Sequence, residues 1–190
     1  VRFGFVQPKS AQSLFLFAAG SYTQNHIANS SFIAAHDTLL AGNVVLHQGS
    51  QLTQPVNLNG YWTARSFITY GLPLSFMKCN LNLNAGFTFS RSPGMINYDI
   101  NKANTYNING GLVISSNISE KVDFTVSYTA NYNIVNNSIQ PQSNSNYFNH
   151  LASVRLNTNP WKGLVISTDL SHSYYKSFGG SPLNESFLLW

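Results

Sequence analysis

The chain has 190 residues, with charged residues at 8%, aromatics at 14% and a formal net charge of +4. Charge at this level is far below the roughly 25% of a soluble domain, yet abundant Phe, Tyr, Ile, Leu and Val exclude disorder, and no apolar run reaches the ~18 residues of a membrane helix. The basic balance does not indicate nucleic acid, because Lys78, Lys102, Lys121, Lys162 and Lys176 are scattered singly without a basic cluster.

A single cysteine, Cys79, rules out an internal disulfide. Val1 opens directly into an apolar stretch, with no basic segment and apolar core of a signal peptide before it. Because a protein of this composition has to be exported, the expectation is a piece of a longer chain, incomplete at both ends. Residues 1–190 form a single partial β domain, with no linker.

In chain order the dominant period is two. Residues 14–22 and 62–72 favour β structure but are ambiguous in phase. Residues 79–90 alternate Leu81, Leu83, Ala85, Phe87 and Phe89 with Asn80, Asn82, Asn84, Gly86 and Thr88. Residues 106–115 repeat the pattern loosely. Residues 122–134 are the clearest case: Phe124, Val126, Tyr128 and Tyr132 occupy even positions, and Asp123, Thr125, Ser127 and Asn131 odd ones. Residues 152–157 and 164–174 follow. Successive strand side chains point to opposite faces, so each run has one apolar and one polar face.

Short connections are expected near Pro8, Phe76, Ile118 and Trp161. Long polar ones are expected over 36–59, 91–104, 136–146 and 177–185, with residues 43–46 adding a strand extension inside the first. Short turns alternating with long loops characterise outer-membrane barrels. The predicted architecture is therefore all-β: an antiparallel meander of seven or eight strands, pairing with sequence neighbours and forming an open arc of a large transmembrane β-barrel. The small polar residues on the inward runs argue against closure into an eight-stranded barrel, whose lumen is filled by side chains.

Residues 60–73 (Gly60-Tyr61-Trp62-Thr63-Ala64-Arg65-Ser66-Phe67-Ile68-Thr69-Tyr70-Gly71-Leu72-Pro73), 80–86 and 90–97 resemble the late barrel region of Bacteroidetes TonB-dependent receptors, the outer membrane protein beta-barrel family. Residues 115–124 and 144–148 share this texture, and the resemblance extends from about residue 13 to 190. It rests on no catalytic motif. It implies a 22-stranded barrel with an N-terminal plug, energised through TonB and importing a nutrient ligand across the outer membrane. The implied partners are outer-membrane lipid, the plug of the parent chain and the TonB complex. No cofactor is implied. A passive or structural barrel, and a soluble β-sandwich or adhesin-like binding module, stay open as alternatives.

Four charges within the strands, Arg65, Asp123, Arg155 and Asp169, have the parity of the polar face. They are expected to face the lumen, touching plug or cargo or simply supplying the polarity such a wall needs. Trp62, Phe76, Tyr98, Tyr147, Trp161 and Tyr174, with Tyr61 and Tyr175, gather near predicted strand ends. They suit an interfacial aromatic girdle, or hairpin packing in a soluble β protein. His26, His36, Asp37 and His47 lie in or beside the first long loop but match no zinc-ligand spacing. Ser171 and Ser173 fall on the face opposite His172, so no Ser-His-acid set is legible and no enzyme activity is expected. The sequon Asn117-Ile118-Ser119 is a chance match.

Overall fold

The computed structural model describes every residue except 41, 117–120 and 179–183. One continuous antiparallel path runs β1(Arg2–Gln7), β2(Gln12–Thr23), β7(Tyr61–Leu74), β8(Cys79–Ile96), β9(Asp99–Ser116), β10(Val122–Asn137), β11(Ser145–Trp161), β12(Leu164–Ser177), β13(Asn184–Leu189). Between β2 and β7 the chain makes an excursion: β3(His26–Ile33) pairs with β6(Gln51–Leu58), and β4(Thr38–Leu40) with β5(Val44–Leu46). A 3-10 turn, Pro141–Ser143, lies between β10 and β11. No register joins β1 to β13 among the described residues.

The meander is as expected, but four details differ. Nine strands lie on the path, not seven or eight, because residues 2–7 and 184–189 also pair. Neighbour pairing fails where β2 pairs with β7 across the excursion, and β3 touches β8 in parallel at Ser30–Met95 and Ser31–Ile96. Residues 36–59, read as loop with one extension, carry β4, β5 and β6.

The fourth difference is that residues 91–104 are no loop. β8 and β9 continue in register to Ile96↔Asp99 around a two-residue turn, Asn97-Tyr98, with φ of 48° and 72°. Two consecutive left-handed residues give the primed turn whose twist matches the flanking strands. Pro93 fits inside β8 because of its pairing. Its partner Lys102 directs its N–H away from β8, onto Ser138 Oγ at 2.8 Å. Pro93 therefore occupies a non-hydrogen-bonded pair, where a missing N–H removes no ladder bond.

Consecutive antiparallel hairpins turn at opposite ends, so the connections near Pro8, Phe76 and Trp161 share one end of the sheet. The turn around Ile118 lies outside the described residues. The β3–β6 hairpin, Asn97-Tyr98 and the 3-10 turn share the other end.

The sheet is a single layer. Its only buried residues among those described are Ala28, Ser30, Ala34, Cys79 and Pro93. The accessible surface is 12914 Å², against roughly 9,000 Å² for a compact monomer of this mass. A path of this kind has no core between two layers: each strand is held by its ladder and by side chains beside it on the same face.

Candidate functional site

Register carries the parity of each strand across the whole sheet. One face holds Leu16, Ile68, Ala85, Gly110, Ala130 and His150 in a single cross-strand row, and Leu83, Leu112, Tyr128 and Ala152 in the next. On this apolar face the nonpolar stretch spans residues 14–22 of β2, 62–72 of β7, 81–89 of β8, 106–114 of β9, 124–134 of β10 and 148–156 of β11, nine to eleven residues on each, interrupted by Ser66 on β7 and His150 on β11. Beyond it the same face turns polar along a stepped edge. On β8, β9 and β10 the edge is Arg91, Asn104 and Asn136, one cross-strand row, and on β12 and β13 it is Lys176 and Asn184, whose row runs through Phe148 and Tyr132, four residues lower in register. Arg91 Nε donates to Asn104 Oδ1 at 2.8 Å.

Rings collect along this edge. Tyr22 and Trp62 lie 4.6 Å apart and Phe89 and Tyr106 5.1 Å apart, with Tyr132, Phe148 and Tyr174 further across. Of the aromatics singled out by sequence, Trp62 and Tyr174 lie along this edge but in different cross-strand rows: Trp62 pairs with Arg91, and Tyr174 with His150. Tyr147 does not: it pairs with Asn133 on the polar face, where its ring lies 5.6 Å from Tyr175. Tyr98 is in the β8–β9 turn against Phe32 at 5.6 Å. Phe76 and Trp161 are exposed at the short-turn end, 84% and 72% respectively. Tyr61 stacks on His26 at 4.2 Å.

The other face is laced by neutral amides and hydroxyls. Asn107 Nδ2 donates to Asn133 Oδ1 at 2.7 Å, and Asn109 Nδ2 to Asn107 Oδ1 at 3.0 Å. Hydroxyls of Ser127 and Ser153 meet at 2.6 Å, and those of Ser21 and Thr63 at 2.6 Å. Arg65, Asp123, Arg155 and Asp169 all lie on this face. Arg155 and Asp169 form an ion pair, Nη2 to Oδ2 2.6 Å, and Asp123 Oδ1 accepts from Ser116 Oγ at 3.0 Å. Such a lattice satisfies polar groups without net charge, and its exposed edges remain free for water or a ligand.

Two groupings were not legible in the sequence. Phe15, Phe17 and Phe67 sit on the polar face beside Arg2 and Arg65. The signal was the ambiguous phase of 14–17, Leu-Phe-Leu-Phe, which supplies apolar side chains to both faces. His172 Nε2 lies 2.9 Å from Ser186 Oγ on the next strand, with the His150 ring 5.3 Å away. Spacing along one strand does not reveal that pair, because its members lie on neighbouring strands. No carboxylate partners His172 among the described residues, so two members of a nucleophile–base–acid set stand without the third. Of the loop residues weighed as metal ligands, His47 Nδ1 approaches Asp37 Oδ2 at 3.4 Å, while His26 is engaged with Tyr61. No group of three or more His, Cys, Asp or Glu that could hold a metal forms among the described residues.

No family model matches this chain, and searches of curated proteins and of solved structures find no match.

Proposed function

We propose that this chain forms part of the wall of a transmembrane β-barrel in the outer membrane of a Gram-negative bacterium. The carrying observation is the apolar band: nine to eleven residues deep on six adjacent strands, interrupted by Ser66 and His150, uncovered among the described residues, and ending at a stepped polar edge. A strand tilted in a bilayer needs about 9–11 residues to cross, and outer-membrane strands alternate apolar-out with polar-in. Strands of up to 18 residues then extend past the lipid. Lipid is the partner for the apolar face, and the rings along the stepped edge, Trp62 and Tyr174 included, lie at headgroup depth. Against a soluble sandwich stands the absence of a second layer over this band among the described residues.

Within that class, the sequence texture of residues 60–73, 80–86 and 90–97 supports a TonB-dependent receptor importing a nutrient ligand over a passive barrel. On this reading the polar face looks onto a plug and the cargo, Arg65, Asp123, Arg155 and Asp169 lie in the lumen, and TonB engages the parent protein elsewhere. Neither nucleic acid nor a cofactor takes part, and the wall performs no catalysis.

Cysteine labelling tests the placement. In a Cys79→Ala background expressed in a Gram-negative host, Thr88→Cys and Ser127→Cys on the polar face should react with a small membrane-impermeant maleimide. Leu83→Cys and Leu112→Cys should stay unreacted until detergent is added. Equal reaction of both sets in intact membranes, or recovery of the chain in the soluble fraction, overturns the proposal.

A further inference from the structure

The polar face is not polar everywhere. Where β1, β2 and β7 adjoin, it carries three phenyl rings: Phe17 lies 5.1 Å from Phe67, and Phe15 5.6 Å from Phe67. All three have partners of the polar parity, and the rings stay open: Phe15 is 39% and Phe67 43% exposed. Two guanidinium groups flank the same ring. Arg2 Cζ is 5.6 Å and Arg65 Cζ 5.5 Å from the Phe17 centroid.

Neither cation has a carboxylate partner among the described residues. Elsewhere on this face Arg155 is matched by Asp169. The carboxylates described with this parity, Asp99, Asp123, Asp169 and Glu185, belong to β9, β10, β12 and β13, at least two strands from β7, and Asp99 lies at the turn end of β9, ten residues from the Asn109 that lines the cluster. The cluster borders a depression of about 410 Å³ whose lining includes Phe15, Phe17, Phe67, Arg65, Gly86 and Asn109, within the size range of small-molecule sites. Gly86 pairs with Phe67, and the Asn109 amide fills the space that a side chain would take there. A Cβ there would come within 2.7 Å of Asn109 Oδ1.

We infer that this cluster is a binding site for a small anionic molecule that bears an aromatic or other flat apolar ring. The ring of the ligand stacks on Phe17 and Phe67, for which offset and tilted arrangements are preferred. Its carboxylate or comparable anion takes the guanidinium fork of Arg65, assisted by Arg2, since planar guanidinium matches such oxyanions in bidentate geometry. Two like charges held around one ring with no counter-ion supply the charge complementarity, and the apolar floor excludes hydrated inorganic anions. The inference rests on the polar face being the water-accessible inner wall, and it names the chemical class of cargo that wall recognises.

Equilibrium dialysis of 2-naphthoate against the chain in zwitterionic micelles, with empty micelles subtracted, tests it. Saturable binding is expected, weakened at least tenfold by Arg65→Gln and to a similar degree when 2-naphthalenemethanol replaces the acid. Lys162→Gln, in the β11–β12 turn, should leave it unchanged. If Arg65→Gln loses its β-sheet circular dichroism, Arg2→Gln at the edge strand and the acid–alcohol comparison carry the test. Equal binding of acid and alcohol would make the patch an apolar docking face for a protein segment and overturn the inference, as would absence of saturable binding. Failure here with Thr88→Cys still labelled sinks only the ligand class, whereas unlabelled Thr88→Cys sinks the wall reading itself.

Discussion

Arg155 and Asp169 face each other directly across the β11–β12 register, with Nη2 2.6 Å and Nε 2.8 Å from the same carboxylate oxygen, Oδ2. Both side chains are about half exposed, 61% and 48%. Solvent screens such a pair, and exposed pairs contribute about 0.2–1 kcal/mol. A double-mutant cycle with Arg155→Gln and Asp169→Asn, read by urea unfolding from lipid vesicles, should give a coupling in that range, smaller at high salt. A coupling above about 2 kcal/mol would show the polar face to be far drier than proposed.

Adjacent residues of β9 separate the two faces. Leu112 pairs with Leu83 and Tyr128 in the middle of the apolar band, and Val113 with Asn82 and Ser127 on the polar face. Lysine on the lipid side near the bilayer midplane costs about 2–4 kcal/mol, whereas lumen positions tolerate charge. Leu112→Lys should therefore destabilise the folded chain in vesicles by that amount and Val113→Lys by much less. Similar losses for the two would contradict a lipid-facing band.

Glycines on the polar face differ in what surrounds them. A Cβ on Gly111 would meet Asn84 Oδ1 at 2.9 Å and the backbone oxygen of Tyr128 at 3.1 Å, while one on Gly86 meets only the Asn109 amide. A side-chain amide can rotate aside; a ladder carbonyl cannot. Gly111→Ala should cost about 1–3 kcal/mol, in the range of overpacking, and Gly86→Ala less. Thermal or urea midpoints in the reverse order would show that the Asn109 amide is the more rigid neighbour.

Asn97 has two tasks at the β8–β9 turn. Its left-handed backbone suits Asn or Gly, and its Oδ1 accepts from Ile33 N at 2.7 Å, while its own N–H donates to Ser31 O at 2.9 Å. Asn97→Gly keeps the turn but removes the acceptor. Hydrogen exchange at Ile33 should quicken about tenfold, as for a bond worth about 1–1.5 kcal/mol, with β9 amides near Tyr106 unchanged. Unaltered Ile33 protection would mean that the β3–β6 hairpin is held at β8 by other contacts.

The sequence by itself determined the face of the residues in the clearly alternating runs, 79–90 and 122–134 above all. Side-chain parity is a local property of extended backbone, so Asp123, Arg155, Asp169 and Arg65 could be assigned to the polar face from alternation alone. It also marked where polarity begins on the apolar face, at Arg91 and Asn104, but that boundary is not the end of the strands. A change from apolar to polar residues reports a change of surroundings, whereas the ladder continues wherever backbone partners persist, here to Ile96 and Asp99. Only the tertiary structure decided which strands lie side by side. The pairing of β2 with β7 across a 37-residue excursion, the approach of Ser186 to His172, and the meeting of Arg2, Phe17 and Arg65 depend on register between segments distant in sequence. No local pattern encodes such register, because ladder bonds are chemically alike at every position and the choice among registers falls to side-chain packing across the whole sheet.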